Sequence, residues 1–137
     1  MIQYTFTEVK RPPFFDAVET HFNDIITQLF KQVSLVDYIF CSDEFLLEIN
    51  KSVLNHDYYT DIITFDLRDN AADPLEAEIY ISLDRVEENS RQFNTTFARE
   101  IQRVMVHGLL HLTGLNDSSE EEKAHMRAME EQYIIEI

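Results

Sequence analysis

Two histidines near the end of the chain have the spacing of a metal site. The stretch HGLLHLTGLND runs from His107 to Asp117, and His111 follows His107 by four residues. On a helix these side chains share a face, where two imidazoles can bind one ion. Gly114 permits the chain to turn, because glycine adopts positive φ without a Cβ clash. Asp117 then supplies a carboxylate, so the stretch predicts a site for one Zn²⁺ made by His107, His111 and Asp117.

The role of Asp117 has an alternative. Ser118 and Glu121 have the spacing of a capping box, so Asp117 also fits a place at the start of the next helix. His125 would then be a substitute ligand. If Asp117 is a ligand, its harder oxygen makes Mn²⁺ or another divalent ion a better competitor than at a site of three histidines.

The spacing H-x-x-x-H-x-x-G-x-x-D resembles the zinc signature of the metzincin proteases, with two differences. Gly108 stands where those proteases have a glutamate, and Asp117 stands where they have a third histidine. Peptide hydrolysis depends strongly on a general base, because the leaving amine must be protonated. A metalloprotease or amidohydrolase is therefore the least favoured of three functions considered for the chain.

The hydrophobic pattern places the histidines on a helix of an α+β domain. Alternating or continuous apolar runs predict strands, and apolar residues at helical spacing predict helices. The predicted strands cover about 2–6, 36–42, 60–67 and 77–83, and the predicted helices cover about 14–31, 43–54, 84–93, 97–112 and 118–134. We expect a small mixed sheet of about four strands packed with about five helices, with a zincin-like metal helix, in a single domain of residues 1–137.

Composition restricts the class of protein. The 137 residues are 45% hydrophobic, which suits one packed core. The net charge of −15 repels nucleic acid at long range, so contact with RNA requires a local basic patch. The lone Cys41 fits a reducing cytosol, and no apolar run reaches the roughly 18 residues of a membrane span. We expect a soluble, cytoplasmic protein, and its candidate basic patch consists of Arg91, Arg99, Arg103 and Lys123.

The wider pattern resembles the YbeY family of endoribonucleases that mature rRNA. HGLLHLTGLND matches the family pattern H-G-x-L-H-L-x-G-Y-D-H at most positions, and the glycine after the first histidine is normal there. The segment NKSVLNHDYYTDIITF, residues 50–65, aligns with N-x-x-Y-R-x-x-D-x-P-T-D-V-L-S-F. It matches at Asn50, Asp57, Thr60, Asp61 and Phe65. AEIYIS, residues 77–82, corresponds to G-D-I-x-I-S, so the resemblance covers about half the chain.

The resemblance implies a function. It implies a metal-dependent, single-strand-specific endoribonuclease that acts near the 3′ end of small-subunit rRNA and in ribosome quality control. The implied partners are an rRNA precursor and the ribosome or its proteins, with no role for DNA or a membrane. It also places the metal helix beside the TDIITF strand, where Asp61 either hydrogen-bonds a ligand histidine or only ends a turn.

One departure from the family affects substrate binding. The family's tyrosine–arginine pair falls on Val53 and Leu54, and the resemblance implies that this arginine holds phosphate. Lys51 and His56 are the nearest cationic candidates for that contact. A lysine is a point charge and not a bidentate fork, so the replacement is not equivalent. Both residues also fit a simpler role as solvated residues at the end of a helix.

Two mechanisms of action therefore remain open. A Zn²⁺ ion lowers the pKa of its water and polarises a phosphoryl oxygen, so RNA cleavage does not need the missing glutamate. The main alternative is a non-catalytic ribosome assembly factor with a structural or vestigial metal site. The strong negative charge and the missing arginine favour that alternative.

Overall fold

Four strands and five helices make up the computed structural model, which describes all residues from 1 to 137. The strands are β1 (Ile2–Phe6), β2 (Val33–Cys41), β3 (Ile62–Asp66) and β4 (Leu75–Ser82). The helices are α1 (Phe15–Leu29), α2 (Asp43–Leu54), α3 (Leu83–Gln92), α4 (Phe97–Leu112) and α5 (Glu120–Tyr133). The expected α+β fold is confirmed, and the predicted bounds of the metal helix agree with those of α4.

The strands form one mixed sheet in the order β1-β2-β4-β3. β1 and β4 both run parallel to β2, whereas β3 pairs with β4 in the antiparallel direction. The pair β2 and β4 forms the centre of the sheet. Along β4 buried apolar residues alternate with half-buried Glu76, Glu78 and Tyr80, so one face of this strand packs against the core. β3 is one of the two edge strands, and α4 packs beside it. The edge strand and the metal helix thus border the same surface.

Side-chain caps set where the helices begin. Ser42, Ser82 and Thr96 each accept a hydrogen bond from the backbone N–H three residues later, at the starts of α2, α3 and α4. α5 begins with a full capping box made by Ser119 and Glu122. The predicted box of Ser118 and Glu121 is therefore wrong by one residue. Ser118 and Ser119 each have a glutamate three residues later, so the spacing of a capping box occurs twice in this segment.

The core joins α1 and α4 to the sheet. Its largest fully buried side chains include Phe15, Phe22, Tyr38, Phe40 and Met105. The hydroxyl of Tyr38 donates a hydrogen bond of 2.8 Å to the carbonyl oxygen of Met105, which ties the central strand β2 to α4. These contacts hold α4 over the sheet at the point where it carries the two histidines.

None of the helices is both long and apolar enough to cross a membrane.

Candidate metal centre and its two clefts

Three side chains converge at the end of α4. The Nε2 atoms of His107 and His111 lie 3.0 Å apart. The Oδ2 atom of Asp117 lies 3.4 Å from each of those nitrogens. Donors that surround a tetrahedral Zn²⁺ at about 2.1 Å lie about 3.4 Å from one another. The three atoms therefore have the spacing of metal donors, and all three side chains are partly exposed, which leaves room for a further ligand.

Hydrogen bonds on the far side of each ring determine which nitrogen faces the cluster. His107 Nδ1 lies 2.6 Å from Oε2 of Glu130, and His111 Nδ1 lies 2.9 Å from the carbonyl oxygen of Leu115. A carbonyl oxygen and an ionised carboxylate can only accept a hydrogen bond. With Glu130 ionised, each Nδ1 therefore carries the proton. Both Nε2 lone pairs then point at one another. Two lone pairs at 3.0 Å repel unless a metal ion or a proton lies between them, so the pair can bind a metal ion in place of a proton.

Negative charge around His107 favours binding of a cation. Burial lowers the pKa of His107, but the hydrogen bond and charge of Glu130, with the charges of Asp117 and Asp61, outweigh burial and raise it. For the carboxyl group of Asp61 burial has the opposite effect and raises the pKa, and the charge of His107 opposes this rise. A hydrogen bond from Asp61 to a candidate ligand histidine, one of the two roles considered for this residue, is not formed. Glu130 takes that position, and Asp61 acts on His107 only through its charge.

Gly108 shows why the protease glutamate has no place here. A Cβ atom at this position would lie 3.0 Å from Cδ1 of Ile62 and 3.0 Å from Oγ1 of Thr64, both on β3. Position 108 therefore faces the edge strand β3 and not the cluster of His107, His111 and Asp117, the candidate metal cluster. A glutamate there would be forced into the contact between α4 and the sheet. The glycine is needed for the close approach of the helix to β3.

The backbone after α4 argues against the capping role considered for Asp117. Gly114 has φ of +105°, as expected for the residue that turns the chain after the helix. Ser119, and not Asp117, caps α5, and the backbone N–H of Ser118 donates to Glu122. The carboxylate of Asp117 thus has no capping partner and faces the two histidines. His125, the substitute ligand, is an exposed residue of α5 outside the cluster.

The cluster opens into two clefts. One, of about 380 Å³, lies between α3, α4 and α5 and is lined by residues that include His107, Asp117, Glu130, Lys123 and Arg127. The other, of about 360 Å³, follows β3 and is lined by Ile62, Thr64, Asp66, His107, His111 and Leu112. His107 lies at the wall shared by both clefts. The two clefts therefore meet at His107, and a ligand bound in either one can reach the candidate metal ligands.

Lys51 and His56 lie outside both clefts. Lys51 is exposed near the end of α2, with its ammonium 3.9 Å from carboxylates of Glu48 and Asp57. The Nδ1 atom of His56 lies 3.0 Å from the hydroxyl of Tyr58, and the two rings stack. The contact of Lys51 and His56 with phosphate remains a prediction. Neither side chain shares a cleft wall with the histidines.

The expected basic patch is largely neutralised. Arg91 pairs with Glu87 and Glu88 on its own helix. The other two arginines pair mainly with residues near the C-terminus: Arg99 with Glu131 and Glu136, and Arg103 with Glu130 and Glu131. Arg103 also pairs with Glu100 on its own helix. These arginines serve mainly to attach α5 and the C-terminal segment to α4. Only Lys123 and Arg103 of the four predicted residues line the cleft beside the cluster.

Sequence reasoning missed Glu130 and Arg127. Glu130 is only 4% exposed and lies 23 residues after His107, so no local motif connects them. The sequence signal that could have identified Glu130 was its position on the apolar face of the predicted last helix. Met126, Glu130 and Tyr133 fall on one face at helical spacing, so a carboxylate stands among residues that face the core. A buried charge needs a partner, and that requirement pointed to a site.

Comparison with known proteins agrees with this geometry. The family model described as Endoribonuclease YbeY matches residues 5–137. Two curated proteins with that name are similar over most of the chain. The protein of Cytophaga hutchinsonii is 46% identical over 83% of this chain and 79% of its own length. The protein of Phocaeicola vulgatus is 42% identical over 95% of this chain and 94% of its own length.

A solved structure shows the same architecture. The solution structure of a protein from Thermotoga maritima superimposes with a TM-score of 0.70 at 29% sequence identity. The match covers 97% of this chain and 86% of that one. Both the sequence and the fold lead to one conclusion. The chain belongs to the YbeY family of endoribonucleases.

Proposed function

We propose that the chain is a metal-dependent, single-strand-specific endoribonuclease that acts in the maturation of small-subunit rRNA. The observation that carries this function is the set of three donor atoms, 3.0 to 3.4 Å apart, at the junction of two open clefts. Cleavage inside a strand requires nucleotides on both sides of the scissile phosphate. A centre at which two open clefts meet offers room for them, and an enclosed pocket would not.

The ligand set proposed for the metal is His107, His111 and Asp117. A divalent ion bound there acts as a Lewis acid on a phosphoryl oxygen and lowers the pKa of water. The protein's own contribution is orientation. Glu130 keeps the proton of His107 on Nδ1, the carbonyl oxygen of Leu115 does the same for His111, and both Nε2 atoms stay free to bind. Zn²⁺ fits the two imidazoles, and the carboxylate also makes Mn²⁺ a suitable ion.

The substrate and setting follow from the family. The relatives named Endoribonuclease YbeY act on RNA, and we infer that an rRNA precursor is the substrate, with the ribosome or its proteins as partners in quality control. Residues 1–137 act as one domain, because a single core joins α1, α4 and the sheet. The cytoplasm is the setting in which such a substrate is found, and the buried lone Cys41 is compatible with it.

A protease function is less well supported. Position 108, where metzincin-like proteases carry their general base, is a glycine that packs against β3. RNA cleavage depends more on positioning and charge neutralisation, which metal ions and cationic side chains supply. The assembly-factor alternative requires the metal site to be absent or inert. The first experiment therefore measures both metal and cleavage.

The test uses purified protein without a tag. We expect about one equivalent of Zn²⁺ or Mn²⁺ per chain by elemental analysis, a value set by one three-ligand site. The metal-loaded protein should cleave a single-stranded RNA and leave the corresponding duplex intact. A chelator should stop the reaction, and added metal should restore it. Loss of both metal and cleavage is expected for Asp117→Ala and for His107→Ala.

The matched control is His125→Ala, which removes an exposed histidine of α5 outside the cluster. It should keep full metal content and activity. Full metal content in Asp117→Ala would remove Asp117 from the ligand set. A wild-type protein that binds no metal under metal-replete conditions would refute the nuclease and leave the assembly factor as the better function.

A further inference from the structure

The cleft between α3 and α5 contains an arginine without a partner. Every other arginine of the chain pairs with at least one carboxylate: Arg11, Arg68, Arg85, Arg91, Arg99 and Arg103. Arg127 forms no such pair, although acidic residues outnumber basic ones by 26 to 11. It lines the same cleft as His107 and Asp117. A free guanidinium is unexpected in so acidic a protein unless something outside the chain uses it.

The charge of Arg127 acts on Glu100, a buried residue that lines the same cleft. Burial raises the pKa of Glu100, and the charges of Arg103 and Arg127 oppose that rise. Lys123, one turn earlier on α5, also lines the cleft and reaches only Glu120, at 3.9 Å. Arg103 lines the cleft too, but it pairs with three carboxylates. Arg127 and Lys123 are therefore the cations available to an anionic ligand.

Residues at the end of α3 add an aromatic ring and a free amide to the cleft. Phe93 follows α3, is 60% exposed and lines the cleft. Asn89 stands four residues earlier on the same face of α3, and its carboxamide makes no hydrogen bond within the protein. An exposed aromatic ring beside free hydrogen-bonding groups is the arrangement that binds unstacked bases of single-stranded RNA.

We propose that this cleft is the subsite for one nucleotide of a single-stranded RNA next to the scissile phosphate. Phe93 stacks on the base, Asn89 bonds its edge, and Arg127 with Lys123 binds the neighbouring phosphate. The proposal rests on the proposed function, which supplies the RNA strand and the reacting phosphate at His107 and Asp117. It assigns to α5 the phosphate contact that Leu54 cannot make. It also explains selectivity, because a paired base cannot reach the ring.

The test measures binding separately from cleavage. The probe is a short, fluorescent, single-stranded 2′-O-methyl RNA, checked to be intact after incubation with the metal-loaded protein. Fluorescence anisotropy gives Kd over a range of salt concentrations. Phe93→Ala should weaken binding roughly 10-fold or more, because a stacked base is lost. Arg127→Gln should weaken it roughly 10-fold and lower the slope of log Kd against log salt by about 0.7, the value for one phosphate on a single strand.

Matched controls lie outside the cleft. Phe45→Ala removes another exposed phenylalanine, and Arg91→Gln removes an exposed arginine whose partners are on its own helix. Both should bind the probe as the wild type does. The affected positions are exposed, so circular dichroism and thermal melting should show all four variants folded.

The outcomes separate the subsite from the nuclease. If the wild type cleaves ordinary RNA but both cleft variants bind the probe normally, the nuclease stands and the subsite is wrong. If the cleft variants lose binding while the wild type cleaves nothing, the subsite stands and the proposed function is wrong. A wild type that does not bind the probe, or controls that lose as much as the cleft variants, would overturn the subsite.

Discussion

At the scale of single residues, the orientation of the candidate ligand His107 depends on Glu130, which lies outside the candidate ligand set. Glu130 is nearly fully buried and accepts the Nδ1 proton of His107 at 2.6 Å. Such a partner fixes the ring orientation and makes the free nitrogen a better ligand. Its charge also draws positive charge to the site, in agreement with the raised pKa of His107.

We expect Glu130→Gln to weaken Zn²⁺ binding roughly 10- to 100-fold, the usual effect of losing such a partner. Competition with a chelator of known affinity measures the loss. The ¹⁵N shifts of His107 should show a changed tautomer balance in the metal-free protein, a readout independent of activity. Glu131→Gln is the control, because Glu131 pairs with Arg99 and Arg103 but does not contact a histidine. Equal metal affinity in the wild type and Glu130→Gln would show that Glu130 is only structural.

At the scale of elements, the position of α4 over β3 determines whether the site exists. Gly108 allows the helix to approach until a Cβ would meet Ile62 and Thr64 at 3.0 Å. At the end of α4, Arg68 donates a hydrogen bond of 2.8 Å to the carbonyl oxygen of Leu112 while it pairs with Asp66 at the end of β3. This arginine therefore ties the last turn of the metal helix to the edge strand.

Gly108→Ala should make the protein about 1 kcal/mol less stable, because crowding costs about 1 to 3 kcal/mol and the better helix propensity of alanine offsets about 1. Chemical denaturation measures the change. Ile62→Val removes the Cδ1 atom that the new methyl group meets, so the double variant should lose less than the sum of the single ones. Additive losses would show that the close contact between α4 and β3 is not the cause.

At the scale of the whole molecule, negative charge opposes the folded state. The net charge is −15, and burial raises the pKa of Glu100 and of Asp61. A carboxyl group whose pKa is higher in the folded than in the unfolded protein destabilises the fold once ionised, so stability increases as pH falls from neutral. Asp66 acts in the opposite sense. Its hydrogen bond to Arg68 lowers its pKa, and that stabilisation is lost only when pH falls below the ordinary carboxyl range.

The metal-free protein should therefore have a Tm that rises as pH falls from roughly 7 to roughly 5 and drops again in stronger acid. Thermal melting in a chelating buffer measures this profile. Glu100→Gln should raise Tm at neutral pH and flatten the first part of the profile, whereas the exposed Glu88→Gln should leave its shape unchanged. A Tm that falls steadily below neutral pH would contradict the cost assigned to the buried carboxyl groups.

The sequence by itself determined the features that depend on neighbouring residues. The helix from Phe97 to Leu112, the pairing of His107 with His111 on one face, and the positive φ of Gly114 all follow from helical periodicity and glycine geometry. The mixed sheet followed from apolar alternation and the family pattern. Where the local rule was satisfied twice, as at Ser118 and Ser119, the sequence alone selected the wrong residue.

Only the tertiary structure decided which distant side chains meet these histidines. Glu130 comes from a helix that begins after the loop, and its contact with His107 depends on how the apolar face of α5 packs on α4. The same packing brings Arg127 and Phe93 into the lining of one cleft. The orientation of Asp117 toward the cluster depends on Ser119 taking the cap. Such contacts join residues far apart in the chain, and they are set by the burial of whole helix faces, which no short spacing rule contains.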